Sequence, residues 1–461
     1  MRLAVAFLSA IPLLLLLLLL LLGRRGQLLS AEELMLHRGA PVRIALHRRA
    51  AAAGQFSRWR CVGGLEDLER FEHRACVFEH VCYDAGTADF LFYSRRANGS
   101  SMPAVFDHRR GPTRKFRHRT AEGDGVDADF VALSKWVAYR PRHSWSPRIV
   151  GRALPRRHRR LRGLTALSAP FVPTNLGHVA WDEAFPLLVA MAQLGVYTPR
   201  LRILRTQGCD ALPKEGSRRV CAKFAAAFLQ PLLGSHGDEV ITLPQLRATA
   251  APGEPICFDE LLVGSAFDSF NSDELNDGKE PLLALYRARV LAWHGLLPRA
   301  VPSAHAILLI RKEGKRGIAN FAMVERFVRT RYGSVASVTT TSFSTLPMAQ
   351  QLALVSQTTI AVSPCGGISM ILPFLPEGAH AILMNYMVGP DDVRRHGECT
   401  GCSWTMEAEL WRHVRHVQKQ YYQVWGPSDF KKGKPGHDAA IVVDPQRLGE
   451  LIDNALEEMQ P

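Results

Sequence analysis

Between residues 303 and 383, short aliphatic or β-branched runs alternate with longer helical stretches, and this alternation limits the fold more than any other property of the chain. An apolar run at 305–310 leads to a helical stretch at 320–332 and a β-rich run at 334–339. A helical stretch at 347–357, the run 359–362 and an aliphatic run at 379–383 complete the pattern. Strands that alternate with helices are joined by right-handed crossovers into a parallel sheet. Upstream the same grammar is looser: 201–204 and 239–243 read as strands, 219–233 as a helix and 256–264 as another apolar run. The polar, turn-rich stretch 268–280 reads as an interdomain connection, followed by a helix at 281–294. The expected fold is therefore α/β, with two Rossmann-like domains facing a cleft.

Ligands of such sheets bind outside the carboxyl ends of the strands. Arg311 and Lys312 follow the first strand of the downstream sheet, Arg316 lies in the next loop, and Pro364-Cys-Gly-Gly367 follows the third strand. Guanidinium forks beside helix N-terminal amides suit a diphosphate, and Gly366 and Gly367 let the backbone approach a phosphate or sugar. A nucleotide-diphosphate site is expected there. On the upstream domain, the segment Asn175-Leu-Gly-His178-Val-Ala-Trp-Asp182-Glu183 sets an imidazole and a carboxylate four residues apart. Helical geometry would put both on one face, as an acid/base pair or a base and its orienting partner.

The start of the chain bears on compartment. Residues 3–22 carry no charge and 13–22 are ten consecutive leucines, followed by Arg24 and Arg25. At ~1.5 Å per residue this run matches a hydrocarbon core of ~30 Å. It is longer than the h-region of about 7 to 15 residues in a cleaved signal peptide. An uncleaved signal anchor over 1–25 is expected, with a stem over 26–60. Nine cysteines fall in three groups, Cys61, Cys76 and Cys82; Cys209, Cys221 and Cys257; Cys365, Cys399 and Cys402. That number favours disulfides in an oxidising lumen, with pairing left open. Asn98-Gly-Ser100 is a glycosylation sequon, the sole one in the chain.

The formal charge of +14 is concentrated. Sixteen Lys/Arg against four acids between Arg109 and Arg162 leave +12 in that segment. No repeated aromatic interleaving accompanies it, so a solvated loop is expected there and nucleic acid is not an expected partner. Asp127-Ala-Asp129 matches the short Asp-x-Asp pattern of metal-dependent transferases but falls within this basic segment, away from both expected cleft walls, so no metal site is assigned.

Taken in order, Asn175, Gly177, His178, Asp182 and Glu183, then Arg311, Arg316 and Asn320, then Gln350-Gln351 through to Gly367, together with Cys76 and Cys82, resemble glycosyltransferase family 61. The family usually has His-Gly-Ala-Gly after the third strand, where this chain has Cys365-Gly-Gly-Ile368. The resemblance implies a GT-B-like arrangement. An acceptor-side domain would span 61–270, with the basic insertion 109–162, a nucleotide-sugar domain 290–430, and a tail helix 431–461. It also implies inverting transfer from a nucleotide sugar, UDP-GlcNAc or a UDP-pentose, to a protein or polysaccharide acceptor. The expected base is His178 or Asp182; the expected donor-binding residues are Arg311, Arg316, Asn320, Gly366 and Gly367, with no required cofactor. The expected location is the Golgi or endoplasmic reticulum membrane, single-pass type II, catalytic part luminal. A glycan-binding protein without turnover, motivated by Cys365, and a polyanion binder, motivated by the basic segment, are the competing expectations.

Overall fold

The computed structural model describes residues 54–62, 74–95, 106–107, 128–129, 131–133, 144–198, 201–233, 240–264, 278–364, 366–384, 413–422, 424, 427–431 and 440–459. A nine-stranded mixed sheet is built from β1 (Arg58–Val62), β2 (Ala75–Glu79), β3 (Cys82–Asp84), β4 (Asp89–Tyr93), β5 (Arg148–Val150), β6 (Arg159–Ser168), β7 (Leu201–Arg205), β8 (Val240–Thr242) and β9 (Ile256–Gly264). Its core is four parallel strands in the order β8-β7-β6-β9. The strand order reverses between β6 and β9, the kind of switch point at which α/β sheets open a crevice. Antiparallel β2 and β3 close the β9 edge, so this sheet is not the purely parallel one that alternation alone implies.

Two disulfides fix that antiparallel extension. Cys61 and Cys76 face each other on β1 and β2, and Cys82 faces Cys257 across β3 and β9. A third joins Cys209 to Cys221. Part of the basic segment also departs from the loop expectation: Arg159, Arg160 and Arg162 begin β6. Arg160 pairs there with the carboxylate of Asp259 on β9.

Helices cover the sheet. α1 starts as α-helix over Leu176–Val179, passes through a π turn over Ala180–Ala184 and resumes over Phe185–Gln193. It is followed by α2 (Glu215–Phe228), α3 (Leu243–Ala248) and α4 (Glu280–Trp293). The second sheet is parallel throughout, in the order β11-β10-β12-β13-β14, from β10 (His305–Ile310), β11 (Ala336–Thr341), β12 (Ile360–Ser363), β13 (His380–Met384) and β14 (Gln418–Tyr422). Its switch point lies between β10 and β12. Strands buried on both faces read as unbroken apolar runs, and Ile307–Ile310 and all of β12 and β13 are buried. α5 (Phe321–Tyr332), α6 (Met348–Val355) and α7 (Pro445–Glu458) complete this half. Val324, Val328 and Tyr332 of α5 and Leu448, Ile452 and Ala455 of α7 recur at helical spacing and enter one core with β10, β12 and β13. The C-terminal helix is thus a packed part of the second sheet rather than a tail.

The expected fold class is corrected in one respect. No helix among the described residues is long and apolar enough to cross a membrane. The 14-residue helices α2, α4 and α7 span about 21 Å at ~1.5 Å per residue, short of a ~30 Å hydrocarbon core. The α1 segment carries His178, Asp182 and Glu183. The anchor expected over 1–25, the sequon at Asn98, Asp127, and Cys365, Cys399 and Cys402 lie outside the described residues. Ala128–Asp129 forms a short strand beside Phe106–Asp107.

Candidate functional site

Seven residues separate α1 from β6, the strand at the first switch point. Asn175 is its N-cap: the residue is extended, and its Oδ1 accepts from the Gly177 N–H at 2.9 Å. Asparagine is among the best residues for this position because it satisfies an amide that has no intrahelical partner. One turn on, His178 Nδ1 donates to Asp182 Oδ2 at 2.5 Å. The two side chains are 18% and 9% exposed. A carboxylate accepts here, so in a neutral imidazole this bond places the proton on Nδ1 and the lone pair on Nε2. The rings of Phe171 and His178 meet edge to face, centroids 5.1 Å apart.

The π turn sends three consecutive residues to three neighbours. Trp181 is fully buried, and its Nε1 donates to the Met370 carbonyl at 2.8 Å, in the 3-10 turn Ser369–Phe374 that follows β12. Asp182 turns to His178. Glu183 receives two hydrogen bonds from Arg205 at the end of β7, at 2.8 and 2.9 Å, and one from Ser168 Oγ at the end of β6, at 2.7 Å. π turns are concentrated at functional sites because they break the even angular spacing of a helix.

Two glycines let the second sheet's loops close on this helix. A Cβ at Gly177 would lie 2.8 Å from Met370 Cγ, and one at Gly367 would collide with the carboxamide of Asn175. The loop after β12 therefore rests directly on the N-cap of the His178 helix. Its neighbour Gly366 has φ 101°, open to glycine and poorly to other residues. A Cβ at Gly366 would lie 2.9 Å from Lys312 Nζ and 3.0 Å from Arg316 Nη2. Arg316 itself adopts φ 60°, a left-handed conformation costing roughly 1–2 kcal/mol for such a residue. Its Nε is buried without a hydrogen-bond partner among the described residues. Such strain is typically retained where the surrounding structure uses the side chain.

Among the expected residues, then, His178 and Asp182 are paired, and Arg316, Gly366 and Gly367 come together beside them through Asn175. Arg311 is directed elsewhere, with its guanidinium 5.8 Å from the ring centroid of Phe321 in the first turn of α5. It also faces Glu325, whose carboxyl is held below its ordinary range chiefly by a hydrogen bond with Thr340, then by Arg329 and Arg311. Asn320 has both ends of its carboxamide on the backbone of Val443, donating to the carbonyl at 2.7 Å and accepting from the N–H at 2.9 Å. It joins α5 to the approach to α7 and is not free to face a donor. Lys312, named with Arg311 at the end of the strand but not assigned to donor binding, is the cation that faces the glycine loop. Adjacent residues leaving a strand point to opposite sides, and this alternation was the available signal that only one of Arg311 and Lys312 could turn toward the glycine loop. Among the described residues no group of His, Cys, Asp and Glu is arranged to hold a metal ion.

Comparison with known proteins adds little to this geometry. No family model matches the chain, and no curated protein matches it. Among solved structures it is similar to the bacterial iron-containing dodecameric glycosyltransferase TibC from enterotoxigenic E. coli H10407. The two are 10% identical over 67% of this chain and 79% of that one, with a TM-score of 0.27. A likeness that slight transfers nothing about chemistry.

Proposed function

We propose that this protein is an inverting glycosyltransferase that moves a sugar from a nucleotide-sugar donor to a hydroxyl of a protein or polysaccharide acceptor. The observation that carries the reading is the contact of Gly367 with Asn175. Through it, a His–Asp pair at the first switch point and a Lys–Arg pair at the second share one site. Inverting transfer needs these two functions together: a base for the incoming hydroxyl, and positive charge for the departing diphosphate.

In this reading His178 Nε2 takes the acceptor proton while Asp182 holds the tautomer and stabilises the imidazolium that forms. The diphosphate lies over Gly366, where a side chain would obstruct it, with Lys312 and Arg316 as its counter-charges and Arg311 flanking them. The two side-chain cations take the part that a divalent ion plays in metal-dependent transferases. Three disulfides among the described residues favour an oxidising compartment, the lumen of the endoplasmic reticulum or Golgi.

The test is release of nucleoside diphosphate from a panel of nucleotide sugars, with and without glycan acceptors, by the protein and by His178→Gln and Arg316→Ala. Release from one donor, reduced at least a hundredfold in both variants, supports the reading. Release that persists at the native rate in both overturns it, as does no release from any donor–acceptor pair by the folded protein.

A further inference from the structure

The π turn of α1 is held from behind by a buried ion pair that touches neither His178 nor Asp182. Glu183 and Arg205 have side chains 4% and 2% exposed, and their bidentate contact is completed by Ser168 Oγ. A buried pair of this kind gains little net stability, because desolvation offsets the attraction; what it supplies is a fixed arrangement. Arg205 carries a further constraint. Its Nη1 lies 3.7 Å from Cys209 Sγ and 3.8 Å from Cys221 Sγ, against both sulfurs of the disulfide that ties the turn after β7 to α2. Cys221 is itself buried.

We infer that Arg205, braced by the Cys209–Cys221 disulfide, is the positioning residue of the site. It sets the rotation of the π turn through Glu183, and so the orientation of Asp182 toward His178. Four links form the chain of contact: disulfide to Arg205, Arg205 to Glu183, Glu183 to its backbone neighbour Asp182, and Asp182 to His178. Trp181 fixes the other side of the same turn on the Met370 carbonyl. The turn is thus clamped at both of the residues flanking Asp182, which itself turns to His178. Removing either clamp lets the carboxylate rotate away from Nδ1, and a base misplaced by about 1 Å loses rate out of proportion to the contact removed. The catalytic consequence rests on the proposed role of His178, whereas the arrangement is readable without turnover.

The readout is the Nδ1–H resonance of His178 in protein labelled with 15N-histidine, assigned by its disappearance in His178→Gln. In the native protein this proton, hydrogen-bonded to Asp182, is expected to resonate far downfield. Glu183→Gln and the double variant Cys209→Ala/Cys221→Ala are each expected to broaden or abolish it, while the His380 and His416 resonances of the second sheet persist and report an intact fold. Arg205→Lys, which keeps the charge and loses the fork, is expected to do the same. An unchanged His178 resonance in folded Glu183→Gln overturns the inference, and that variant decides the matter if the cysteine double variant does not fold. Kinetics separate the two readings: kcat reduced about tenfold with donor KM held within about twofold agrees with both. A lost resonance with unchanged kcat keeps the positioning role and removes His178 as the base.

Discussion

Arg311 and Lys312 are consecutive cations at the end of β10, yet one lies by Phe321 and the other by Gly366. Charge alone does not separate them, and direction does. Lys312→Ala is therefore expected to weaken donor binding by roughly 10- to 100-fold, the scale of one charge-assisted contact. Arg311→Ala should weaken it by less than about threefold in the same nucleotide-diphosphate titration. Equal losses in both variants would return Arg311 to the centre of the site. Asn320 gives the converse case. Its two hydrogen bonds to Val443 are worth about 1 kcal/mol each, so Asn320→Ala should cost about 2 kcal/mol in urea unfolding and leave donor affinity intact. A variant of native stability with impaired donor binding would show that the sequence resemblance had located a ligand contact after all.

At the scale of elements, the closing of the β12 loop onto α1 depends on the absence of a side chain. Gly367→Ala is expected to push the Asn175 carboxamide from its capping position and cost about 1–2 kcal/mol, with transfer falling more than stability does. A variant with native activity would mean that the loop yields without disturbing the helix. This contact also shows what could be read from the chain and what could not. The central strands β10, β12 and β13 were legible because they are buried on both faces, so their apolar runs stand out against amphipathic helices, and 305–310 was bounded correctly. β14, Gln-Lys-Gln-Tyr-Tyr at the sheet's edge, has one wholly buried residue and gives no such signal. The i, i+4 pairing of His178 with Asp182 was legible from helix geometry alone. The partner of Glu183 was not, since Arg205 is 22 residues away and only strand order brings β7 beside β6. Cysteine pairing depended in the same way on register, with Cys82 and Cys257 separated by 175 residues and made neighbours by β3 meeting β9.

For the molecule as a whole, the second sheet's response to acid follows from two histidines behind the site. His416 Nε2 donates to the Pro373 carbonyl at 3.0 Å, in the same 3-10 turn that carries Met370. Burial, aided by the nearby charge of Arg287, pushes its pKa down to about 3. His380, buried at the start of β13, is also lowered by burial, partly offset by Glu458. Both are thus neutral in the folded protein at pH values where an unfolded chain, with imidazole pKa near ~6.5, binds protons. The sign is fixed: the stability both groups confer is complete above about pH 6.5 and is lost as pH falls, for His416 down toward 3 and at up to ~1.4 kcal/mol per pH unit. Between pH 7 and pH 5 the loss through His416 amounts to about 2 kcal/mol. His416→Gln retains a donor for Pro373 and does not titrate. The difference in unfolding free energy between the two pH values is therefore expected to be smaller in this variant by about that amount, measured by urea titration. Identical pH dependence in the two proteins would mean that His416 becomes protonated without unfolding the sheet around it. The turn that seats Trp181 would then have a proton-tolerant support, and the acid sensitivity of the molecule would have to be sought at His380.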